Sequence, residues 1–290
     1  MREIDGRTRI CGLMANPVEH TLSPLIHNTV SERLGINMAY VPFKPEREGL
    51  EDAVRGAYAL NILGLNVSVP YKSQVLESLA EIDAMAKAIG AVNTLVRIKD
   101  GYKGYNTDIL GLKRAMELEN VRIKGRQIVI LGAGGVAKAV THLCVSEGAA
   151  AVWILNRTLP RAEELAAQVN EYYHTDRVRV LALGAYRELP KERYLAIQTT
   201  NVGMYPNADN AVIEDKEFYC LVEDAYDMVY TPFHTKFMQN AESCGARAFN
   251  GLRMLVYQGI CAYELWNQVT VPEEVSEEVY ELLKKELGRK

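Results

Sequence analysis

One stretch constrains the fold more than any other. The run Gln127–Leu131 places Ile128, Val129, Ile130 and Leu131 in succession, and Gly132-Ala133-Gly134-Gly135-Val136-Ala137 follows directly. A segment apolar at helical spacing then continues to Glu147, Gly148 ends it, and a second buried-strand run occupies 150–155. Strand, glycine turn, helix and strand in that order specify a βαβ unit of a parallel sheet. Glycine lets the backbone turn tightly and lets a ligand approach the main chain, where unpaired N–H groups at a helix N-terminus favour an anion. In this context the run reads as a dinucleotide pyrophosphate site, with Ala137 as the third small residue of the pattern. The competing reading is a turn that binds nothing, and the ordered flanking elements weigh against it.

The same alternation extends in both directions. Strand-like runs at 127–131, 150–155, 178–183, 195–199 and 221–227 are separated by helical segments and suit a Rossmann-type, doubly wound nucleotide-binding sheet. An earlier series has strands at 9–14, 38–43 and 64–69 and helices at 24–34 and 50–60, which predicts an α/β domain with a largely parallel sheet. A helix at 109–119 and a polar connection at 120–126 mark the boundary. Residues 251–266 are apolar on nearly every helical face, so that helix should be buried, packing back on the first domain. The expected organisation is therefore residues 1–110 with the helices of 251–290 as one domain, and 111–250 as the nucleotide-binding domain.

Composition narrows the function classes. At 48% hydrophobic and 24% charged residues the chain is an ordinary folded, soluble one. Its net charge of −4 weighs against nucleic-acid or anionic-membrane partners, which a surplus of Lys and Arg would hold. No stretch approaches the roughly 20 apolar residues that span a bilayer, residues 1–9 lack an apolar signal core, and the cytoplasm is the simplest address. Cys11, Cys144, Cys220, Cys244 and Cys261 are scattered without Cys-x-x-Cys or zinc-finger spacing, so reduced structural thiols and no metal are expected.

The cofactor type follows from the end of the second strand of the nucleotide-binding series. An NAD enzyme usually places a carboxylate there for the ribose 2′-hydroxyl, whereas this chain has Asn156-Arg157-Thr158. A carboxylate would repel a 2′-phosphate and Arg157 would attract it, so NADP(H) is the expected cofactor. Arg161, one helical turn on, reads equally as a second phosphate contact or as part of a solvated face, and Thr158 followed by Pro160 also reads as a helix start.

Several polar residues of the first domain sit where secondary structure alone would choose otherwise. In His20-Thr21-Leu22-Ser23-Pro24, Ser23 reads as an N-cap with Pro24 opening the helix, yet two hydroxyls at a helix N-terminus also suit a carboxylate. Asn66 and Ser68 project to one side of a strand end, and Lys72 is expected in the first turn of a following helix, against its dipole. Asn93 lies in an apolar run and needs a partner, and Asp108 stands before a helix that it could merely cap. Gln258 lies in the apolar helix, and its amide too needs a partner, which a polyhydroxylated ligand would supply.

Taken together, these motifs resemble the shikimate dehydrogenase (shikimate/quinate dehydrogenase) family from Gly12 to about Gln268. The matching stretches are 20–24 with Ile26-His27-Asn28, 66–72, 90–94, 105–108, 132–137, 156–158, Val202-Gly203-Met204, 227–230 with Pro232 and Thr235, and 250–258. The resemblance implies an NADP-dependent, reversible reduction of 3-dehydroshikimate to shikimate in aromatic amino-acid biosynthesis. It implies an active-site cleft between an N-terminal substrate domain and the nucleotide domain. By that resemblance Lys72 and Asp108 form the catalytic pair, and Thr21 and Ser23 hold the substrate carboxylate with Tyr230 beside it. It likewise assigns Asn66, Ser68, Asn93, Asp108 and Gln258 to ring hydroxyls, and Thr200, Val202, Met228 and Gly251 to the ribose or nicotinamide. A homodimer is compatible with the chain.

Three departures stand out. Thr21 replaces the usual serine and leaves quinate in play as a substrate, Gln198 and Asn201 stand at positions commonly Asn and Pro, and Arg253 follows Asn250-Gly251-Leu252. Among other classes, glutamyl-tRNA reductase shares the glycine loop and the Asn-Arg-Thr triplet, but it needs a nucleophilic first-domain cysteine, for which only Cys11 is available, and a surface for tRNA. A non-catalytic NADP sensor would be expected to have lost Lys72 or Asp108, and both are present.

Overall fold

In the computed structural model, which describes residues 4–288, the chain divides into two units. One is built from the residues up to Leu112 together with those from Leu255 onward, and the other from Lys113–Met254.

The first unit contains β1 (Arg9–Met14), α1 (Ser23–Arg33), β2 (Met38–Phe43), α2 (Leu50–Ala59), β3 (Gly64–Val67), β4 (Glu81–Ile82), α3 (Ala84–Ile89), β5 (Thr94–Ile98) and β6 (Gly101–Tyr105). It continues into α4 (Thr107–Leu118), and after the second unit the chain re-enters it through α9 (Leu252–Asn267) and α10 (Glu273–Leu287). Its sheet runs β2-β1-β3-β5-β6-β4. The sheet is largely parallel, as expected, since β1 pairs in parallel with β2 and β3 and β4 with β6, while β3–β5 and β5–β6 are antiparallel. The reversal is a hairpin in which Ile98 faces Gly101 across the two residues Lys99 and Asp100, and Gly101 takes φ +144°. Asp followed by Gly is a strong hairpin signal, and it is visible in the sequence.

One face of this sheet is covered by a core of Leu50, Val54, Leu65, Val67, Tyr71, Val75, Leu95 and Tyr102. On α9, Trp266 lies against β3 at Gly64, the one position of that strand without a side chain. A methyl group at Gly64 would sit 2.0 Å from Trp266 Nε1, and that nitrogen donates to the Leu95 carbonyl at 2.9 Å. Trp266, His27 and Tyr40 form an aromatic cluster, with His27 stacked on Tyr40 at 4.1 Å.

The second unit alternates β7 (Gln127–Leu131), α5 (Gly135–Ser146), β8 (Ala151–Asn156), α6 (Leu159–Tyr173), β9 (Val178–Ala182), β10 (Tyr194–Gln198), α7 (Lys216–Tyr219), β11 (Val222–Asp227), α8 (Lys236–Ser243) and β12 (Arg247–Phe249). All pairings are parallel, in the order β12-β11-β10-β7-β8-β9. A sixth strand, β12, joins the five expected ones. This is the doubly wound order in which the chain reverses direction across the sheet between β7 and β10. Ligands of such sheets bind outside the carboxyl ends of the strands at that reversal, where the loops after β7 and β10 diverge.

Candidate active site and cofactor loop

In the first unit, three loops converge at the ends of β3, β5 and β6. Lys72 follows β3 in a turn whose backbone is fixed when the Lys72 carbonyl accepts the Val92 N–H at 2.8 Å. This corrects the expectation of a helical first turn: only a short 3-10 helix follows, Gln74–Ser78, so Lys72 does not lie in the first turn of an α-helix. Its Nζ donates to Asp108 Oδ2 at 2.6 Å, with 32% of the Lys72 side chain and 19% of the Asp108 side chain exposed. The pair is thus partly shielded yet open to solvent on one side. Asp108 is not an N-cap but lies inside the first turn of α4, where a carboxylate is favoured by the helix N-terminus.

Asn93 fixes this pair from behind. Its Nδ2 donates to Asp108 Oδ1 at 2.8 Å, while its Oδ1 accepts from the Thr107 N–H at 2.7 Å and from the Thr107 and Thr94 hydroxyls at 3.1 Å each. The partner demanded by a buried asparagine is therefore the start of α4 itself, and one amide N–H is left over.

A hydrogen-bonded chain continues to Asn66, whose Nδ2 donates to Thr94 Oγ1 at 3.1 Å and to the Asn93 carbonyl at 3.2 Å. Asn66 Oδ1 accepts from the Tyr40 hydroxyl at 2.8 Å and contacts His27 Nε2 at 3.1 Å. Two donors and two acceptor positions are then all filled, so in this arrangement Asn66 has no capacity left for a ring hydroxyl, against the sequence expectation. Burial pushes His27 down to about 3, which keeps the imidazole neutral at physiological pH. His27 and Tyr40 were not singled out as site residues by sequence reasoning; their signal is a polar ring in otherwise apolar helix and strand faces.

The remaining first-unit candidates flank this network. Helix α1 begins at Ser23 with Leu22 as its N-cap, so Ser23 is a first-turn residue and not the cap, and the Thr21 hydroxyl accepts the Ser23 N–H at 3.2 Å. Thr21 and Ser23 thus sit together at the start of α1, both half-buried. Ser68 directly follows β3 and is half-buried. Gln258 sits on α9 where a Gly111 methyl would lie 2.4 Å from its backbone nitrogen, and its Nε2 donates to the Leu255 carbonyl at 2.9 Å. Its amide finds that partner within its own helix, leaving an N–H and the carbonyl oxygen over.

In the second unit the glycine loop divides its labour. Gly132 takes φ +111°, and a Cβ there would lie 2.8 Å from Thr199 Oγ1 and Thr200 Cγ2. At Gly134 and Gly135 a Cβ would meet nothing within 4 Å, so these positions leave open space in front of the backbone. Helix α5 begins there with no side-chain cap, Val136 is exposed at 44%, and Ala137 is buried. A loop with bare, uncapped N–H groups facing open space fits a dinucleotide pyrophosphate. At the end of β8, Asn156 Nδ2 donates to the Thr158 carbonyl at 2.8 Å, and Arg157 and Arg161 are both exposed beside the start of α6.

The loops after β10 and β11 are tied to a carboxylate that sequence reasoning did not single out as a site residue. Asp227, fully buried, accepts from Gln198 Nε2 at 3.1 Å, the Val229 N–H at 2.9 Å and the Thr235 hydroxyl at 2.6 Å. Desolvation pushes it up to about 6 despite those bonds. Gln198 also accepts the Thr200 N–H and donates to the Val202 carbonyl at 3.0 Å, so the residue that departs from the family pattern shapes the Thr200–Val202 turn. Gly251 meets the Met228 backbone: a Cβ there would lie 2.3 Å from the Met228 oxygen. Tyr230 is half-buried on this unit, and burial pushes its phenol up.

Comparison with known proteins finds three matches along the chain. Sequence profiles for the shikimate dehydrogenase substrate binding domain, shikimate/quinate 5-dehydrogenase and the shikimate 5′-dehydrogenase C-terminal domain match residues 13–95, 114–186 and 251–279. A shikimate dehydrogenase (NADP(+)) of Methanopyrus kandleri is 42% identical over 281 residues, 95% of this chain and 96% of the relative. The chain belongs to the shikimate dehydrogenase family.

Solved shikimate dehydrogenases share the fold. A crystal structure of one in complex with NADP+ superposes with a TM-score of 0.87 at 35% identity, covering 96% of each chain. The Listeria monocytogenes shikimate 5-dehydrogenase in complex with shikimate and NAD gives 0.89 at 30% identity, covering 98% of this chain and 99% of that one. Both shikimate dehydrogenase structures therefore align with both units of the chain.

Proposed function

We propose that this chain is an NADP-dependent oxidoreductase that interconverts 3-dehydroshikimate and shikimate, the ketone reduction of aromatic amino-acid biosynthesis. The observation that carries the reading is the Lys72–Asp108 pair at 2.6 Å, half-shielded and locked by Asn93, in a chain of this family.

Bound NADPH supplies the hydride. Lys72 then donates a proton from Nζ to the substrate oxygen as that oxygen gains negative charge, and its compact ammonium stabilises the charge before the proton moves. Asp108 aims the ammonium; Asn93 aims Asp108. In the oxidative direction Lys72 in its neutral form takes the hydroxyl proton. The Thr21 and Ser23 hydroxyls at the start of α1 are proposed to receive the carboxylate, and the spare groups of Asn93 and Gln258, with Ser68, the ring hydroxyls. Asn66 is proposed to shape the floor through His27 and Tyr40 rather than to contact the ring. The Gly132–Ala137 loop is proposed to cradle the pyrophosphate, and Arg157 to pair with the 2′-phosphate as a planar fork of donors. Five free thiols suit a reducing compartment, so the cytoplasm is the proposed location.

Initial rates with shikimate and with quinate, each with NADP and with NAD, test the reading. Shikimate with NADP should dominate. Dominance of quinate would move the substrate, and no turnover with any pair would overturn the proposal.

A further inference from the structure

The second unit carries a pair of thiols that its proposed chemistry does not use. Cys220 Sγ and Cys244 Sγ lie 3.5 Å apart. Cys220 is exposed and Cys244 half-buried, whereas Cys11 and Cys144 are fully enclosed. The placement follows from the fold: Cys220 is the C-cap of α7 and Cys244 the C-cap of α8. Each helix then hands the chain to one of two adjacent parallel strands, β11 and β12, whose register aligns Asp224 with Arg247. The two cysteines therefore reach the same edge of the sheet on neighbouring connections. Their backbones are held there independently, since the Cys220 carbonyl accepts from Arg193 Nη1 at 2.9 Å and the Cys244 N–H donates to the Ala241 carbonyl at 3.0 Å.

From this geometry we infer that Cys220 and Cys244 form a dithiol site that closes to a disulfide when a small-molecule disulfide, such as oxidised glutathione, is present. A separation of 3.5 Å requires the sulfurs to approach by roughly 1.5 Å to reach bonding distance, within reach of χ1 rotation and small backbone shifts. The exposed Cys220 attacks first, as its thiolate, breaking the S–S bond of the oxidant and releasing one glutathione. The Cys244 thiolate then attacks the Cys220 sulfur of the mixed disulfide and releases the second. One S–S bond forms in the protein and one is lost in the oxidant; the protein gives up two protons and two electrons, and two glutathione thiols carry them away. The hydrogen bond with Cys244 pushes the Cys220 thiol up, so the exchange runs faster at mildly alkaline pH.

The site has a further consequence. It lies where strands β11 and β12 begin, while Gly132, Asn156, Thr200 and Met228 lie where β7, β8, β10 and β11 end. Closing the disulfide cross-links the chain on the edge of the sheet opposite the cofactor loops, so it should stiffen the second unit without altering cofactor affinity.

The test is to incubate the full-length protein with oxidised glutathione at about pH 8.5, titrate thiols after denaturation, and map peptides without reduction. Two of the five thiols should disappear, and a cross-linked pair of peptides should carry Cys220 and Cys244. Cys220→Ser and Cys244→Ser should each abolish the cross-link, with Cys244→Ser retaining a stable glutathione adduct on Cys220. The oxidised protein should melt at a higher temperature and bind NADPH, followed by its fluorescence, within about two-fold of the reduced form. Persistence of all five thiols, a stable glutathione adduct on wild-type Cys220, or a lowered melting temperature on oxidation would each overturn the inference.

Discussion

Asn93 holds Asp108 by one end of its amide and the helix that carries Asp108 by the other: Nδ2 to Asp108 Oδ1 at 2.8 Å, Oδ1 to the Thr107 N–H at 2.7 Å. The carboxylate that orients Lys72 is thus itself oriented by a residue 15 positions earlier in the chain. Replacing Asn93 with Ala should cost about 1–3 kcal/mol of stability, because the Thr107 N–H loses its acceptor in a buried place. It should also lower kcat for shikimate by about tenfold or more while NADPH binding holds. Steady-state kinetics beside a urea titration checks both, and an unchanged kcat would remove Asn93 from the positioning role.

Lys72→Ala should reduce kcat by about 10²–10⁴ while KM for shikimate rises far less, because proton donation is realised in the transition state. A KM effect with kcat intact would mean that Lys72 only binds.

Arg157→Ala should weaken NADPH by about tenfold and leave NADH nearly unchanged, since only the 2′-phosphate loses a charge-assisted partner. Equal loss with both cofactors would place the 2′-phosphate elsewhere.

His27 gives the first unit a pH dependence of definite sign. Its folded-state value of about 3 lies below the ordinary 6.5, so between those limits the unfolded chain binds the proton and the folded one does not. Stability should therefore fall as pH drops from about 6.5 toward 3, by up to about 1.4 kcal/mol per pH unit. His27→Phe keeps an aromatic ring against Tyr40 and should flatten that slope in urea midpoints measured across the range. A slope unchanged by the substitution would assign the acid sensitivity to other groups.

Gly64→Ala should destabilise by about 1–3 kcal/mol or more through overpacking against the Trp266 indole, and should shift the tryptophan emission as Trp266 leaves Leu95. In a double-mutant cycle Trp266→Phe should recover part of the loss. Strict additivity of the two substitutions would mean that Gly64 is constrained by something else.

The glycine loop was legible because everything that defines it lies within about 30 consecutive residues, the length of one βαβ unit. The two antiparallel pairings of the first sheet were less so: the Asp100-Gly101 hairpin signal was present, but alternating helices and strands point only to the parallel pairings that make up the rest of that sheet. The residue types at Lys72, Asn93 and Asp108 were visible, but their geometry was not, because Lys72 and Asp108 are 36 positions apart and meet only through the sheet. Asn66 shows the limit most plainly. Its type suggested a ligand contact, and only tertiary partners as distant as His27 and Tyr40 reveal that its amide is already fully used. Gln198 stood out as a departure and Asp227 opens one of the matching stretches, yet the two are 29 positions apart and nothing local shows that they meet.

The first unit is discontinuous in the chain, and this separates the order of synthesis from the order of folding. As the nascent chain emerges, β1 to β6 appear early, but the surface formed by Gly64, His27 and Ile26 stays bare until α9 brings Trp266 and Gly259 to it. The intervening segment has all of its own parallel strands by Phe249 and can complete its sheet first. Once folded, it replaces a flexible loop of well over one hundred residues by a rigid spacer, and the entropic cost of bringing Gln258 against Gly111 falls accordingly. The part of this protein that is made second can therefore be finished first, whereas the part made first is complete only once α9 has been made.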